Sequence, residues 1–338
     1  MRILIAGLGA IGQRHARNLR ALRGGDLELL AFRTRRLPHV VTESLQSDDT
    51  RDVEAELGIT VYDNLDEALG ARPDAVFICT PSSRHLDIAE RAAGAGCHLF
   101  IEKPVSHTLD GLDRLRELVE SRRLAVLVGC QWRFHPAIKW LRDVLREGTL
   151  GPLVRVAMDY GEYLPDWHPY EDYRASYAAR AELGGGVVLT QIHDYDLAWS
   201  LFGPPRTITA AGGHLSDLEI DVEDTVEAQL DGGSVPVTIR QSFATRPPRR
   251  TISVEGDAGS VMLDLLGGTI SSHPRIVAAG AFAGYARNQM FVDEADHFLA
   301  CVDGRASSLV PLDEGIAVLR LALAVRDAMR TKGVVEFA

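Results

Sequence analysis

The chain has 338 residues, of which 46% are hydrophobic and 25% are charged, so it has the composition of a folded protein and enough length for two domains. Its 36 Lys and Arg residues against 47 Asp and Glu residues give a formal net charge of −11. An acidic protein is a poor match for nucleic acid or an anionic membrane, so a small molecule is the expected partner.

The cysteines and the apolar runs indicate in which cellular compartment the protein is expected. The four cysteines show no metal-ligand spacing and predict reduced, buried thiols and no metal site; they are Cys79, Cys97, Cys130 and Cys301. Glycines interrupt the first residues too early for a signal peptide. No window holds the about 18 uncharged apolar residues that a membrane span needs. A cytoplasmic protein is expected.

The first predicted elements are a strand, a glycine-rich turn and a helix. Residues 2–6 form an apolar run, the helical pattern covers residues 11–22, and the motif Gly7-Leu8-Gly9-Ala10-Ile11-Gly12 joins them. Gly7 serves the turn, Gly9 lets a pyrophosphate approach the backbone, and Gly12 allows the helix to pack closely. The sequence therefore predicts a dinucleotide-binding loop, with a plain tight turn as the alternative.

The end of the second strand bears on the choice of cofactor. An acid about 20 residues past the glycine motif would hold the ribose hydroxyls of NAD. Here the predicted strand 27–32 ends in Arg33-Thr34-Arg35-Arg36. Guanidinium groups and a hydroxyl suit a 2′-phosphate, so NADP is preferred over NAD. The other interpretation is a solvated loop.

Strands and helices then alternate, which predicts a doubly wound parallel sheet over residues 1–129. The predicted helices are 52–57, 65–69, a helix ending at 95, and 109–119; the strands are 59–62, 75–79, 97–101 and 124–128. Asp63 or Asn64 could cap the second of these helices, and Ser82 or Ser83 the third. Residues 39–50 show no clear period and are predicted to be an irregular insertion.

The tripeptide Glu102-Lys103-Pro104 follows the apolar run 99–101. In an open α/β sheet ligands bind beyond the carboxyl ends of the strands, so Lys103 is expected to face the chemistry. The alternative is a surface lysine at a strand end. Because an unperturbed lysine has a pKa of about 10.4, Lys103 must act as a cationic donor or be desolvated.

The second half, residues 130–338, shows a different pattern. A helix is predicted over 136–146 and a strand over 153–159, and then come polar and aromatic residues that include Tyr163, Trp167 and Arg174. Flat rings suit sugar faces and arginines suit carboxylate or phosphate groups. A packed loop or a subunit contact is equally consistent with this segment.

The triple glycine Gly184-Gly185-Gly186 is predicted to open a helix in which His193 and Asp196 share a face. Extended patterns cover 207–212, 225–230, 235–243, 251–255, 261–265 and 334–337, with helices at 289–301 and 313–330. Short glycine turns between these strands predict an open antiparallel sheet with helices on one face. Its other face would then serve a second copy, in a homodimer or homotetramer.

With the glycine motif and Glu102-Lys103-Pro104 in place, nearly the whole chain resembles the Gfo/Idh/MocA oxidoreductases. Thr80-Pro81 after a buried strand, Arg133-Phe134-His135-Pro136 before a helix, and the triple glycine followed by His193 support the resemblance. It implies an α/β N-terminal Rossmann domain and an α+β C-terminal domain with an open, mostly antiparallel sheet. It also implies an NAD(P)-dependent enzyme that interconverts a secondary alcohol and a ketone on a sugar, sugar derivative or cyclitol.

The motifs and the resemblance together give the candidate site residues. The catalytic candidates are Lys103 and His193. In the family that the chain resembles, the lysine meets nicotinamide and the substrate hydroxyl, often with a cis bond before the proline, and the histidine assists it. The cofactor-binding candidates are Gly7, Gly9, Ala10, Ile11, Gly12, Arg33, Thr34, Thr80, Pro81, His85, Glu102, Lys103 and Arg133. The substrate-binding candidates are Lys103, Tyr163, Trp167, Arg174, Thr190, His193 and Asp194.

One position departs from the pattern of that family. Where related sequences place an aspartate, this chain has Thr190, which cannot be a carboxylate. Either Asp194 or Asp196 orients His193 instead, or the proton relay is shorter. A hydrolase or lyase that oxidises its substrate transiently, and a nicotinamide-binding regulator without turnover, are the alternative functions.

Overall fold

The computed structural model describes residues 1–33, 40–42, 47–48 and 50–337. The first half contains, in chain order, β1 (Arg2–Ala6), α1 (Ala10–Arg23), β2 (Glu28–Phe32), β3 (Val40–Val41), β4 (Ser47–Asp48), α2 (Val53–Leu57), β5 (Ile59–Tyr62), α3 (Leu65–Gly70), β6 (Ala75–Ile78), α4 (His85–Gly94), β7 (His98–Glu102), α5 (Leu112–Arg122) and β8 (Val126–Gly129). The expected insertion over 39–50 falls partly outside the described residues, and its described part contains β3 and β4.

Six of these strands form one sheet in the order β5-β2-β1-β6-β7-β8, and every neighbouring pair is parallel. Strand β1 is central, with Ala6 paired to both Phe32 and Ile78. The chain builds outward from β1 on one side and then returns to build on the other. The crevice between the carboxyl ends of β1 and β6 is therefore the switch point at which such sheets bind ligands.

Burial on both faces explains the continuous apolar strands. Ile3, Leu4 and Ile5 are fully buried in β1, and the rings of Phe77 and Phe100 stack at 4.4 Å across β6 and β7. Strands covered by helices on both faces lack the alternation of a half-exposed sheet. The predicted doubly wound parallel sheet is confirmed.

Two helix starts show how local sequence and tertiary contacts compete. Asn64 caps α3 as predicted, because its Oδ1 accepts from the main-chain N–H of Asp66 at 2.8 Å. The predicted cap of α4 is wrong: a 3₁₀ turn over Ser82–Arg84 precedes that helix, which has no side-chain cap. The Ser82 hydroxyl instead lies 3.3 Å from the carbonyl of Gly184 and joins the two halves of the chain.

The second half contains α6 (Pro136–Arg146), β9 (Leu153–Tyr163), α7 (Val187–Thr190), α8 (His193–Phe202), β10 (Thr207–Gly213), β11 (Thr225–Asp231), β12 (Val237–Ser242), β13 (Ala244–Gly256), β14 (Gly259–Asp264), β15 (Thr269–His273), α9 (Asn288–Val302), α10 (Leu312–Thr331) and β16 (Val335–Glu336). Eight strands form a sheet in the order β15-β14-β13-β9-β12-β11-β10-β16. Its pairs are antiparallel except β9 with β12, so the mostly antiparallel sheet is confirmed.

Three details differ from the sequence-based expectation. Strand β9 is longer than predicted and reaches Tyr163, β15 was not predicted, and the helix after the triple glycine is two helices, α7 and α8. The break between α7 and α8 leaves the main-chain carbonyl of Thr190 free to accept a side-chain hydrogen bond. Among the described residues, we find no helix with the length and apolar content to span a membrane.

Candidate active site

The glycine loop between β1 and α1 has the shape that a dinucleotide requires. Gly7 has φ +98°, and a Cβ there would lie 2.8 Å from the carbonyl oxygen of Cys79. A Cβ on Gly12 would lie 2.0 Å from the carbonyl oxygen of Gly7. A Cβ on Gly9 would meet nothing within 4 Å, so open space lies over the first turn of α1. The free N–H groups of that turn and this space fit a pyrophosphate.

A cavity of about 640 Å³ joins this loop to the second half of the chain. From the first half it is lined by residues that include Gly9, Ala10, Ile11, Thr80, Pro81, Glu102 and Lys103. From the second half the predicted residues on its wall are Tyr163, Trp167, Thr190 and His193. Most of the predicted site residues therefore meet in one place.

The ammonium of Lys103 is held by a main-chain group. Lys103 Nζ donates to the carbonyl oxygen of Thr190 at 2.7 Å, and the Lys103–Pro104 peptide is cis. Thr190, which stands where a carboxylate was expected, thus meets the lysine through its backbone. Its own hydroxyl is buried and has no hydrogen-bond partner among the described residues.

Two histidines support the loop behind Lys103. His15 is fully buried, and its Nε2 lies 2.7 Å from a carboxylate oxygen of Glu102. His85 lies between the main-chain carbonyls of Thr80 and Pro104, at 2.7 and 2.8 Å. Burial lowers the pKa of His85, while both carbonyls oppose that shift. His85, a predicted cofactor contact, therefore ties the two cavity loops together from behind.

His193 lies near Lys103 in a dry environment. It is 4% exposed, its Nε2 is 3.4 Å from the side-chain amide nitrogen of Gln131, and its Nδ1 has no hydrogen-bond partner in the described part of the chain. Burial lowers the pKa of His193 well below its usual range, and the positive charges of Lys103, Arg250 and Arg287 lower it further. His193 is therefore a neutral imidazole at neutral pH.

Neither aspartate of α8 hydrogen-bonds to His193 in the described part of the chain, which favours the shorter proton relay among the alternatives. Asp194 forms an ion pair with Arg250 at 2.9 Å, and Asp196 pairs with Arg133 at 2.5 Å. These side chains are at most 6% exposed, so each carboxylate already has a close cation. A buried charge needs such a partner, and both acids are used in this way.

Several predicted ligand contacts lie away from the cavity. Arg133 is 3% exposed and holds Asp196 and Glu314, while Arg174 lies at the surface with Asp172 and Glu219. Asp194 pairs with Arg250 and does not line the cavity either. The cofactor role of Arg133 and the substrate roles of Arg174 and Asp194 stay predictions.

The predicted 2′-phosphate site is described only in part. Arg33 forms an ion pair with Glu54, and its side chain is 10% exposed. Thr34 lies outside the described residues. The structure therefore gives the one described arginine of this group a carboxylate partner.

Two functional side chains escaped the sequence analysis. Gln131 lies two residues past the end of β8, so the rule that strand ends point into the crevice could have identified it. Arg250 lies in β13 and stacks between Trp132 and Tyr160, at 4.9 and 4.5 Å from the ring centres. It also donates to the Gln191 side chain at 2.7 Å. No local pattern distinguishes Arg250 from its arginine neighbours in the sequence.

Comparisons with known proteins agree with this geometry. The model of the oxidoreductase family with an NAD-binding Rossmann fold matches residues 1–130, and that of the GFO/IDH/MocA C-terminal domain matches residues 138–262. The chain is 26% identical over 283 residues to inositol 2-dehydrogenase of Rhizobium meliloti (strain 1021), covering 78% of this chain and 81% of the relative. It is 27% identical over 341 residues to UDP-N-acetylglucosamine 3-dehydrogenase of Acidithiobacillus ferrooxidans, covering 97% of each.

A solved structure gives the same fold. The WlbA dehydrogenase from Bordetella pertussis, in complex with NADH and UDP-GlcNAcA, superposes with a TM-score of 0.82 at 23% identity, covering 100% of this chain and 99% of the other. Family models thus cover most of the chain, and the glycine loop, Lys103 and His193 line a single cavity. The chain belongs to the GFO/IDH/MocA family of oxidoreductases with an NAD-binding Rossmann fold.

Proposed function

We propose that this protein is an NAD(P)-dependent dehydrogenase that interconverts a secondary alcohol and a ketone on a sugar, sugar derivative or cyclitol. One observation carries the proposal: the Lys103 ammonium and the neutral His193 imidazole line the same cavity as the glycine loop. The names of the relatives, an inositol dehydrogenase and a nucleotide-sugar dehydrogenase, support a polyol ring as the substrate class.

Lys103 and His193 divide the proton chemistry in this proposal. Bound nicotinamide supplies the hydride acceptor or donor. Lys103 donates a hydrogen bond to the substrate oxygen and stabilises the negative charge that develops as the hydroxyl proton leaves. Neutral His193 accepts that proton at Nε2, on the side of the Gln131 amide. In the reducing direction the proton returns along the same path.

Aromatic side chains of the second half provide the surface for the ring. Tyr163 and Trp167 line the cavity, and the guanidinium of Arg246 lies 3.5 Å from the ring centre of Tyr163. Arg246 is also paired with Asp166 at 3.1 Å, which fixes its position. An aromatic face held in this way suits the apolar face of a sugar.

For the cofactor we propose NAD as the first candidate. The Arg33 guanidinium already forms an ion pair with the Glu54 carboxylate, so a 2′-phosphate would have to displace that carboxylate. The NADP preference that Arg33 and Thr34 suggest remains a prediction, since it depends partly on residues outside the described ranges. The ratio of kcat/KM values with NAD and NADP decides between them.

We further propose a cytoplasmic homodimer or homotetramer with the domain division near residues 129 and 130. Helices α7, α8 and α10 pack on one face of the large sheet. The opposite face carries exposed side chains such as Met262, 43% exposed, and Arg240, which pairs with Glu227 across β11 and β12. Sedimentation analysis of wild type and of Met262→Arg tests this face, and an unchanged mass would exclude it.

A substrate screen tests the proposed activity. Inositols, sugars, sugar phosphates and nucleotide sugars are each mixed with NAD or NADP, and the absorbance of the reduced nicotinamide is followed together with product analysis. A dehydrogenase gives equal amounts of product and reduced cofactor. Product without net absorbance change identifies the hydrolase or lyase alternative. Cofactor binding without any turnover identifies a regulator.

A further inference from the structure

The charges around Lys103 and His193 do not balance within the described part of the chain. Of the arginines on the cavity wall, Arg250 is neutralised by Asp194 and Arg246 by Asp166. Arg14 donates to the side chain of Asn288 at 3.0 Å. The other two cations on the wall, Lys103 and Arg287, have no carboxylate partner among the described residues. Lys103 Nζ donates to the carbonyl of Thr190, whereas the Arg287 side chain has no hydrogen bond or ion pair within the described ranges.

Arg287 is exposed and lies on the wall of the cavity that also holds Lys103 and His193. It stands at the residue before α9, where its side chain makes no capping hydrogen bond, one turn before Phe291, and both side chains line the cavity. Its charge also acts on the buried imidazole of His193, together with Lys103 and Arg250. The oxidised nicotinamide ring carries a further positive charge. A neutral polyol would leave these cations without a counter-charge.

We propose that the substrate carries an anionic group, a carboxylate or a phosphate, on the ring that is oxidised, and that Arg287 binds this group. The inference rests on the proposed function and narrows its substrate class. A guanidinium presents paired N–H donors that match the two oxygens of a carboxylate or phosphate. Because the protein has a net charge of −11, it repels anionic ligands as a whole. A cation on the cavity wall attracts such a ligand locally.

The pyrophosphate of the cofactor is the competing source of the same chemistry. Arg14, in the first turns of α1, lines the cavity beside Gly9 and Ala10, where a pyrophosphate would lie. Arg287 acts on His193, whereas Arg14 is not among the charges that shift it. Arg287 is therefore assigned to the substrate by the proposal, and the test must separate the two sources.

The experiment compares matched neutral and acidic substrates. The pairs are glucose with glucuronate and UDP-N-acetylglucosamine with UDP-N-acetylglucosaminuronate, which differ only in the ring carboxylate; glucose 6-phosphate supplies the phosphate arm. Wild type, Arg287→Gln and Arg287→Lys are measured for kcat/KM and for calorimetric binding of each sugar to the NAD-loaded protein. Arg275→Gln is the control, because Arg275 is exposed and does not line the cavity.

We expect wild type to prefer at least one acidic sugar over its neutral partner, and Arg287→Gln to lose about 10- to 100-fold in kcat/KM or affinity for that sugar alone. Arg287→Lys should recover part of the loss, and Arg275→Gln should behave as wild type. Equal losses for neutral and acidic sugars, with a raised KM for NAD, would assign Arg287 to the cofactor and overturn the inference.

The failure of this inference differs from the failure of the proposed function. Oxidation of neutral sugars without any preference for acidic ones leaves the dehydrogenase in place and removes the anionic substrate. Arg287-dependent binding of an acidic sugar without turnover supports the anion site and removes the dehydrogenase. If no acidic sugar is bound or turned over, the anion site is overturned.

Discussion

Replacing Lys103 by Met tests the central assignment of the site. Met keeps the length of the side chain and removes the charge and the donor that now lies 2.7 Å from the Thr190 carbonyl. Loss of one donor aimed at a developing negative charge costs about 10²- to 10³-fold in kcat, or about 2.7–4 kcal/mol. Because Lys103 would also act in proton transfer, we expect a fall near the upper end of that range, about 10³-fold.

The fold should survive this substitution. Leaving the buried carbonyl of Thr190 without a hydrogen bond would lower the free energy of unfolding by about 1–3 kcal/mol. This loss is smaller than the roughly 5–15 kcal/mol by which a folded domain is usually stable. The cavity loops keep their other ties, including His85 to the carbonyls of Thr80 and Pro104. Binding of NAD should therefore stay close to that of wild type.

The assay measures kcat by the absorbance of reduced nicotinamide at saturating substrate, and NAD affinity by calorimetry. Lys139→Met is the matched control, since Lys139 is exposed on α6 and does not line the cavity. Its ammonium lies 4.0 Å from an Asp293 carboxylate oxygen and 5.7 Å from the ring centre of Phe134. A Lys103→Met protein that keeps more than about a tenth of wild-type kcat would refute the reasoning, because a group worth about 2.7 kcal/mol or more cannot be lost at that cost.

Three further changes test other parts of the structure. Thr190→Asp adds an anion near His193, which should raise the pKa of the His193 imidazole and move the acidic limb of the kcat/KM profile to higher pH. Thr190→Asn is the uncharged control. An acidic limb that does not move would contradict the electrostatic account. Glu54→Gln removes the carboxylate partner of Arg33 and should raise the NADP-to-NAD ratio of kcat/KM by about threefold or more. Glu56→Gln, which removes the partner of Arg51, is the control and should leave this ratio unchanged. A Glu54→Gln ratio equal to that of wild type would show that Arg33 does not meet the ribose. Glu294 is fully buried, and burial followed by Glu102 and Asp196 raises its pKa well above the usual range. An acid whose folded pKa is raised loses stability as pH rises above its unfolded value of about 4.3, so Glu294→Gln should raise Tm more at about pH 8 than at about pH 5. Equal shifts at both pH values would speak against a strained carboxyl.

The first half of the fold was predictable because its signals are local. Continuous apolar strands, glycine at fixed spacing and helical periodicity each depend on neighbouring residues, and β6 and β7 were placed within a residue or two. Lys103 followed from the same logic, since a strand that ends at a lysine points it into the crevice. Gln131 after β8 obeys this rule as well and could have been found with it.

The pairings inside the site were not predictable because they join distant residues. Asp196 meets Arg133 from 63 positions away, and Asp194 meets Arg250 from 56 positions away. From sequence alone these acids stood close to His193 and were the natural candidates to orient it. Only the packing of α8 against β13 and the 3₁₀ turn over Gln131–Phe134 shows that each acid already has a cation.

Two features fit one electrostatic arrangement: the threonine at position 190, and Arg287, which has no partner in the part of the chain that the structure describes. A carboxylate at 190 would neutralise Lys103 and raise the pKa of His193 without any help from the substrate. Here a main-chain carbonyl holds Lys103, and burial, reinforced by three cations, lowers the pKa of His193 and keeps it neutral. An acidic substrate bound by Arg287 would offset one of those cations and so make His193 a better proton acceptor only when that substrate is present. The counter-charge would then come from the ligand instead of the protein, and the missing aspartate becomes a reason to expect selectivity for anionic rings.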